Sequence, residues 1–219
     1  MRRVKVKICG ITRKEDLKMV CDMGADAVGF VVGVSSSPRN LTIEKAKKLI
    51  KLVPLFVKSV LVAVPQDESQ ILSFYESLKP DIIQIHGEKP LDIALLKEKL
   101  SAVPLVRGVN VKSEESLNIA IQESKFFDAF LVDSSSSNKY GGTGLTHDWS
   151  VSKRIRDAIH PKPLILAGGL NPENVKEAVK TVKPYAVDVS TGVESKPGIK
   201  DPEKVAAFIR NAKSVLNDD

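Results

Sequence analysis

Short runs of aliphatic and β-branched residues alternate along this chain with longer stretches whose apolar positions recur every three or four residues. The first pattern marks strands and the second amphipathic helices. It predicts strands at Val4–Cys9, Ala27–Val32, Val57–Val64, Asp81–His86, Leu105–Val109, Phe127–Asp133, Leu164–Ala167 and Tyr185–Val189. Helices are predicted at Lys14–Met23 (closing at Gly24), Thr42–Leu52, Asp67–Leu78, Leu91–Leu100, Ser113–Ser124, near Asp148–Ala158, Pro172–Val182 and Pro202–Val215. Pro65 and Pro80 act as breakers. Thr42 and Ser113 offer side-chain oxygens to unpaired backbone N–H groups, and Asn171-Pro172 puts a proline at a first helical position.

Eight strand–helix units predict a closed (β/α)8 TIM barrel, one domain over residues 1–219. An open doubly wound sheet is the other arrangement of this alternation. It usually carries a glycine-rich turn after its first strand. The turn here, Cys9-Gly10-Ile11-Thr12, is not that fingerprint.

Side chains alternate along a strand, and such a barrel carries its chemistry at the strands' C-terminal ends. With Val4, Val6 and Ile8 facing the helices, Lys7 and Cys9 point inward. The same reading sends Ile83 and Ile85 outward and Gln84 and His86 inward. Strand six turns Phe130 and Val132 outward and leaves Asp133 inward; strand eight turns Val187 and Val189 outward and Asp188 inward. A thiol, an imidazole and two carboxylates thus meet at one rim. Each also has a purely structural reading: Cys9 as a small buried hydrophobe, Lys7 as the partner of a carboxylate such as Asp188, His86 as a hydrogen-bonded core residue, Asp133 as a loop cap.

Two loops point to an anion. Strand seven ends in Ala167-Gly168-Gly169-Leu170 and strand eight in Asp188-Val189-Ser190-Thr191-Gly192-Val193-Glu194. Glycines allow close backbone approach, hydroxyls donate, and a helix N-terminus favours negative charge, so these loops are where such a barrel often holds phosphate; the plain alternative is that the glycines only make tight turns.

Composition narrows the class further. The 219 residues are 42% hydrophobic and 27% charged, an ordinary balance for a globular protein. No apolar run nears the ~20 residues of a membrane span, and the start leaves no room for a signal peptide. Two cysteines make no disulfide framework, which fits the cytoplasm. The net charge of +6 is spread over helix faces, and aromatics are only 5%, against a nucleic-acid partner and compatible with an anionic small molecule. Only His86 of the three histidines ends a strand, so no metal and no other cofactor is expected. The assembly expected is a monomer or a homodimer.

The order and spacing of Lys7-Ile8-Cys9-Gly10-Ile11-Thr12, Gly24-Ala25-Asp26-Ala27-Val28-Gly29-Phe30, Ser37-Pro38-Arg39, Gln84-Ile85-His86-Gly87, Val132-Asp133, Tyr140-Gly141-Gly142-Thr143-Gly144, Ala167–Val175 and Val187–Glu194 resemble the phosphoribosylanthranilate isomerase family of tryptophan biosynthesis over essentially the whole chain. The resemblance implies a cofactor-free Amadori rearrangement of a phosphorylated substrate. In it Asp133 is the general acid that opens the ribose ring and Cys9 the general base at C2′. It further implies that Gly168, Gly169, Ser190, Thr191 and Gly192 hold the phosphate, that Arg39 faces the anthranilate moiety and that Lys7, His86 and Asp188 line the site. Those roles ask for a lowered Cys9 pKa, with Lys7 supplying the charge, and a raised one for Asp133. Asn40 and the serine-rich loop 134–139 depart from the family pattern. Another sugar-phosphate isomerase or epimerase on this barrel, or a non-catalytic phosphate-binding module, are the other readings.

Overall fold

The computed structural model describes residues 2–111, 114–133 and 149–217. Eight parallel strands alternate with eight helices: β1 Lys5–Ile8, α1 Lys14–Asp22, β2 Ala27–Val32, α2 Ile43–Ile50, β3 Lys58–Ala63, α3 Glu68–Leu78, β4 Ile82–Ile85, α4 Ile93–Lys99, β5 Leu105–Asn110, α5 Glu114–Glu123, β6 Ala129–Asp133, α6 Trp149–Ile159, β7 Leu164–Ala167, α7 Val175–Val182, β8 Ala186–Val189 and α8 Pro202–Lys213. The strands run in order around the ring, and β1 pairs with both β8 and β2, which closes the barrel.

The period-two pattern divides the apolar residues between two places. Val6, Ile8, Ile83, Ile85, Phe130, Val132, Val187 and Val189 lie in the core between sheet and helices, as read from the sequence. Inside the ring, smaller groups fill the space: Val31, Val60 and Val62 with Cys9, and Val106, Leu131 and Ala167. The barrel is therefore packed below its mouth, and chemistry is confined to the rim.

Most element ends move by a residue or two. Thr42 caps α2, accepting from the Lys45 N–H, as expected. Asn171 also acts as a cap: its Oδ1 accepts from the N–H groups of Glu173 and Asn174, while its own N–H donates to Asn174 Oδ1. This reciprocal pair tightens the entry, and α7 begins at Val175 rather than Pro172. The helix start expected at Ser113, the one near Asp148, and the loop at 134–148 with its Tyr140–Gly144 motif lie outside the described residues. Three small pairings go beyond the pattern: Arg2–Arg3 with Leu216–Asn217, Asn40–Leu41 on β2, and the hairpin Glu194–Lys196 with Ile199–Lys200.

A repeated clip fastens the N-terminal end of the barrel. Asp26, Asp81 and Asp128 each stand one residue before an even-numbered strand. Each accepts a backbone N–H from the strand before: Val6 at 2.9 Å, Ser59 at 2.9 Å and Leu105 at 2.8 Å. Each also pairs with a lysine, respectively Lys5, Lys58 and Lys97. Tyr185 takes the corresponding place before β8, its N–H donating to Leu164 O and its carbonyl accepting from the Lys5 N–H. Burial opposes ionisation of Asp128, but Lys97 and the Leu105 N–H outweigh it and hold the carboxyl below its ordinary value. A depressed folded-state pKa gives stability that is complete above the ordinary aspartate value and lost as the pH falls through the folded one. Asp128→Asn should therefore cost about 1 kcal/mol near neutrality, discounted for partial exposure. The deficit should shrink below about pH 4, which urea unfolding at several pH values would measure. An equal deficit at every pH would rule out this electrostatic origin.

Candidate active site

Cys9 follows β1 directly, its N–H donating to Val189 O at 2.8 Å and its side chain buried at the rim. Space for the sulfur comes from β2, where a Cβ on Gly29 would lie 2.7 Å from Sγ. Two residues earlier, Lys7 Nζ donates to Asp188 Oδ1 at 2.8 Å, and both side chains are at least nine-tenths buried. The β8–β1 register sets these two residues side by side.

Lys7 also lies close enough to Cys9 for the charge of each to act on the other. Burial works against its charge, but Asp188 and Cys9 more than compensate, so Lys7 titrates above its ordinary value and stays an ammonium. Burial pushes the Cys9 thiol up; Lys7 and Lys200 pull against that rise, and Asp188 adds to it. This corrects the expectation that Lys7 would lower the thiol outright. Its charge is shared with Asp188, so Cys9 rests as a thiol in the unliganded site.

Across the mouth, Asp133 ends β6, which lies three steps from β1 by way of β8 and β7. His86 follows β4 and feels the Asp133 charge. Burial holds the imidazole below its ordinary pKa and so neutral, with Asp133 acting in the opposite sense. Its Nε2 lies 2.7 Å from Gln84 Nε2. The ring packs flat on β5, where a Cβ on Gly108 would come within 2.4 Å of it. Gln84 is itself buried, and its Oε1 has no protein partner.

The loops after β7 and β8 interlock. Gly168 and Gly169 both take positive φ, 82° and 63°. Their loop is tied back by Asn174 Nδ2 donating to Gly169 O at 3.0 Å. After β8, Thr191–Val193 forms one turn of 3-10 helix. It lies so close to the first loop that a Cβ on Gly192 would fall 2.0 Å from Leu170 O. Ser190 Oγ is buried with no protein partner. Backbone N–H groups and a free hydroxyl at one end of the barrel make a cradle suited to an anion.

Arg39 comes in from the loop after β2. Its stem crosses Gly10, where a Cβ would lie 2.4 Å from Arg39 Cδ. Its Nε donates to Glu194 Oε1 at 2.7 Å, and its terminal nitrogen bonds Glu194 Oε2 and Thr191 Oγ1. Arg39 thus joins the Cys9 side of the rim to the loop after β8.

Sequence reasoning missed Glu194 and Lys200 as members of this site. Lys200 Nζ donates to Glu194 Oε1 at 2.9 Å and to Ser190 O at 3.2 Å, and its side chain is fully buried. A signal was present: Glu194 and Lys200 flank a Pro197-Gly198 turn, a hairpin signature. That turn sets the two residues opposite each other. Gly29 and Gly108 could not have been found, since only the fold shows what each faces.

A family model described as N-(5'phosphoribosyl)anthranilate (PRA) isomerase matches residues 6–211. The N-(5'-phosphoribosyl)anthranilate isomerase of Methanothrix thermoacetophila is 43% identical, over 96% of this chain and 98% of its own length. That of Methanosarcina acetivorans is 41% identical, over 96% and 94%. The crystal structure of phosphoribosyl anthranilate isomerase from Thermotoga maritima superposes with a TM-score of 0.86 at 39% identity, covering 97% of this chain and all of that one. A second structure of such an enzyme, in complex with reduced 1-(o-carboxyphenylamino)-1-deoxyribulose 5-phosphate, gives 0.82 at 38% identity, with coverage of 97% and 100%. A third, of monomers generated from the dimeric Thermotoga maritima enzyme, gives 0.82 at 36% identity with the same coverage.

Proposed function

This chain belongs to the N-(5'-phosphoribosyl)anthranilate isomerase family, and from that membership we propose how its own residues divide the work of the reaction. The enzyme is an aldose–ketose isomerase. It converts N-(5'-phosphoribosyl)anthranilate to 1-(2-carboxyphenylamino)-1-deoxyribulose 5-phosphate by an Amadori rearrangement. The observation that carries the division of roles is the opposition of Asp133 and Cys9 at the inward ends of strands three apart around the ring.

Protonated Asp133 delivers its proton to the furanose ring oxygen as the C1′–O bond breaks, leaving a Schiff base at C1′. Cys9, as thiolate, removes the C2′ proton and the electrons move into a C1′–C2′ double bond, giving the enolamine. The 2′-hydroxyl then loses its proton while C1′ gains one, which forms the ketone. Asp133 gives up one proton and Cys9 takes one, and the last step moves one from the 2′-oxygen to C1′, so protons and electrons balance without an oxidant.

The thiol must ionise before it can act. Lys7 and Lys200 are the cations that favour thiolate against burial and against Asp188. Neutral His86, braced by Gln84 and Gly108, lines the site beside Asp133. Gly168, Gly169, Ser190, Thr191 and Gly192 hold the phosphate by backbone N–H and hydroxyl donors. Arg39 faces the anthranilate ring from the Cys9 side. A direct test follows loss of N-(5'-phosphoribosyl)anthranilate fluorescence with the purified protein and its Cys9 and Asp133 variants. Equal rates in all three would remove these assignments.

For assembly, the homodimer is the better-supported end of the expected range. Leu55 and Phe56, in the connection that enters β3, are 86% and 94% exposed. Beside them α1 and the same connection form a hollow lined by Leu17, Cys21, Leu52 and Pro54 together with Lys14, Lys18 and Asp22. An apolar knob next to a hollow of apolar and charged side chains on one surface suits a two-fold contact between copies. It lies at the N-terminal end of the barrel and leaves the mouth open. In size-exclusion chromatography Phe56→Glu should halve the apparent mass with turnover kept. An unchanged elution volume would exclude this surface. A cytoplasmic location belongs to the same reading, supported by free Cys9 and Cys21.

A further inference from the structure

The hairpin after β8 carries two buried charges, Glu194 and Lys200, whose pairing with Arg39 the roles described above leave unexplained. Arg39, Glu194 and Lys200 form one cluster, with side-chain exposures of 17%, 4% and 0%. Arg39 occupies both oxygens of Glu194, so Lys200 has only a share of Oε1. Two cations and one carboxylate leave the cluster one positive charge in excess. Asp16 bonds the Lys200 backbone N–H at 3.1 Å rather than its ammonium. Lys204, which bonds the Glu194 backbone oxygen, is a further cation and adds to the excess.

A fully buried ammonium holding half a counter-charge is costly unless further negative charge comes near. The free donor of this neighbourhood shows where that charge belongs. Lys200 Nζ bonds the carbonyl of Ser190, whose Oγ is the buried hydroxyl without a protein partner. The excess charge therefore sits directly behind the loop after β8.

We infer that Lys200 is the positioning cation of the phosphate site, holding the Ser190 loop through its carbonyl and supplying from behind it the charge that a phosphate dianion neutralises. This rests on the reading of the loops after β7 and β8 as the phosphate cradle. Glu194 has a matching role: it keeps Arg39 and Lys200 from repelling each other, so the aryl side and the phosphate side of the mouth are set by one carboxylate. Around Lys200 the charged and titratable groups are Glu194, Arg39, Cys9 and Asp16. Lys200 titrates below its ordinary value, since burial outweighs Glu194. Binding an anion in front of it should draw its pKa back up.

The test uses inorganic phosphate and anthranilate as separate competitive inhibitors of the full-length enzyme. In Lys200→Met and Lys200→Gln the inhibition constant for phosphate should rise at least about tenfold, a modest share of what losing one member of a buried charge pair can cost. The glutamine keeps a donor for Ser190 O and Glu194, so equal losses in both variants assign the effect to charge. Anthranilate inhibition should change far less in either. Lys200→Arg should bind phosphate nearly as the parent does. A folded neutral variant with unchanged phosphate inhibition overturns the inference, as does equal weakening of both inhibitors. If neither neutral variant folds, Lys200→Arg decides: retained phosphate affinity supports the role, and its loss makes Lys200 a strut. Crystals of the parent enzyme grown with inorganic phosphate separate this from the underlying reading. An anion away from Gly169 and Ser190 would displace the phosphate cradle itself, whereas an anion there with indifferent Lys200 variants would sink only the role of Lys200.

Discussion

In Cys9→Ser, turnover of N-(5'-phosphoribosyl)anthranilate falls at least about a hundredfold, the low end for loss of a general base, while KM moves far less. A serine hydroxyl fits the space that Gly29 leaves but does not ionise near neutrality. The loss is thus one of basicity rather than of packing. A Cys9 that serves as the base must do so as thiolate, and burial holds its thiol above its ordinary value. The sign follows: in the parent enzyme kcat/KM climbs as the pH rises toward the Cys9 ionisation, and the climb disappears in Cys9→Ser. Rates measured from pH 6 to 10 check this. A serine variant with near-parental turnover, or with the same rising limb, would take the base away from Cys9.

Asp133→Asn should lose as much or more. Ring opening needs a proton at the furanose oxygen while the C–O bond breaks, and asparagine keeps the shape and a hydrogen-bond donor without a transferable proton. The variant should retain its circular dichroism spectrum. It should also bind a reduced product analogue with near-normal affinity, because phosphate and aryl contacts come from other loops. If the variant unfolds, or if binding collapses while some turnover survives, Asp133 is structural. The pair of variants has a further use. With acid and base in successive steps, a substrate supplied as the open-chain Schiff base should bypass the Asp133→Asn defect and leave that of Cys9→Ser untouched.

The sharing of Lys7 between Asp188 and Cys9 has a thermodynamic side as well. Removing one member of a buried ion pair leaves the other charge unpaired, which typically costs about 3–5 kcal/mol. Substitutions at Lys7 or Asp188 are therefore read in two channels, stability and chemistry, whereas Cys9→Ser leaves that pair in place.

The sequence by itself determined the architecture and the direction of the key side chains. A strand has a side-chain period of two, so Val6 and Ile8 facing the helices left Lys7 and Cys9 no choice but the interior. The same rule put Gln84, His86, Asp133 and Asp188 at the mouth, and the glycines and hydroxyls after β7 and β8 are where the sequence proposes an anion. These are local consequences of covalent geometry. What the tertiary structure decided is how the charges share one another. Whether Lys7 lowers the Cys9 pKa depends on Asp188, which is 181 residues away in the chain yet 2.8 Å away in space. The Arg39–Glu194–Lys200 cluster likewise joins two loops and a hairpin that no period connects. Gly29 and Gly108 matter only through the side chains they make room for, Cys9 and His86. Periodicity fixes which way a residue points. Burial, and the partners that folding brings within hydrogen-bond reach, fix its charge, because desolvation and Coulomb energies are properties of surroundings that no single segment contains.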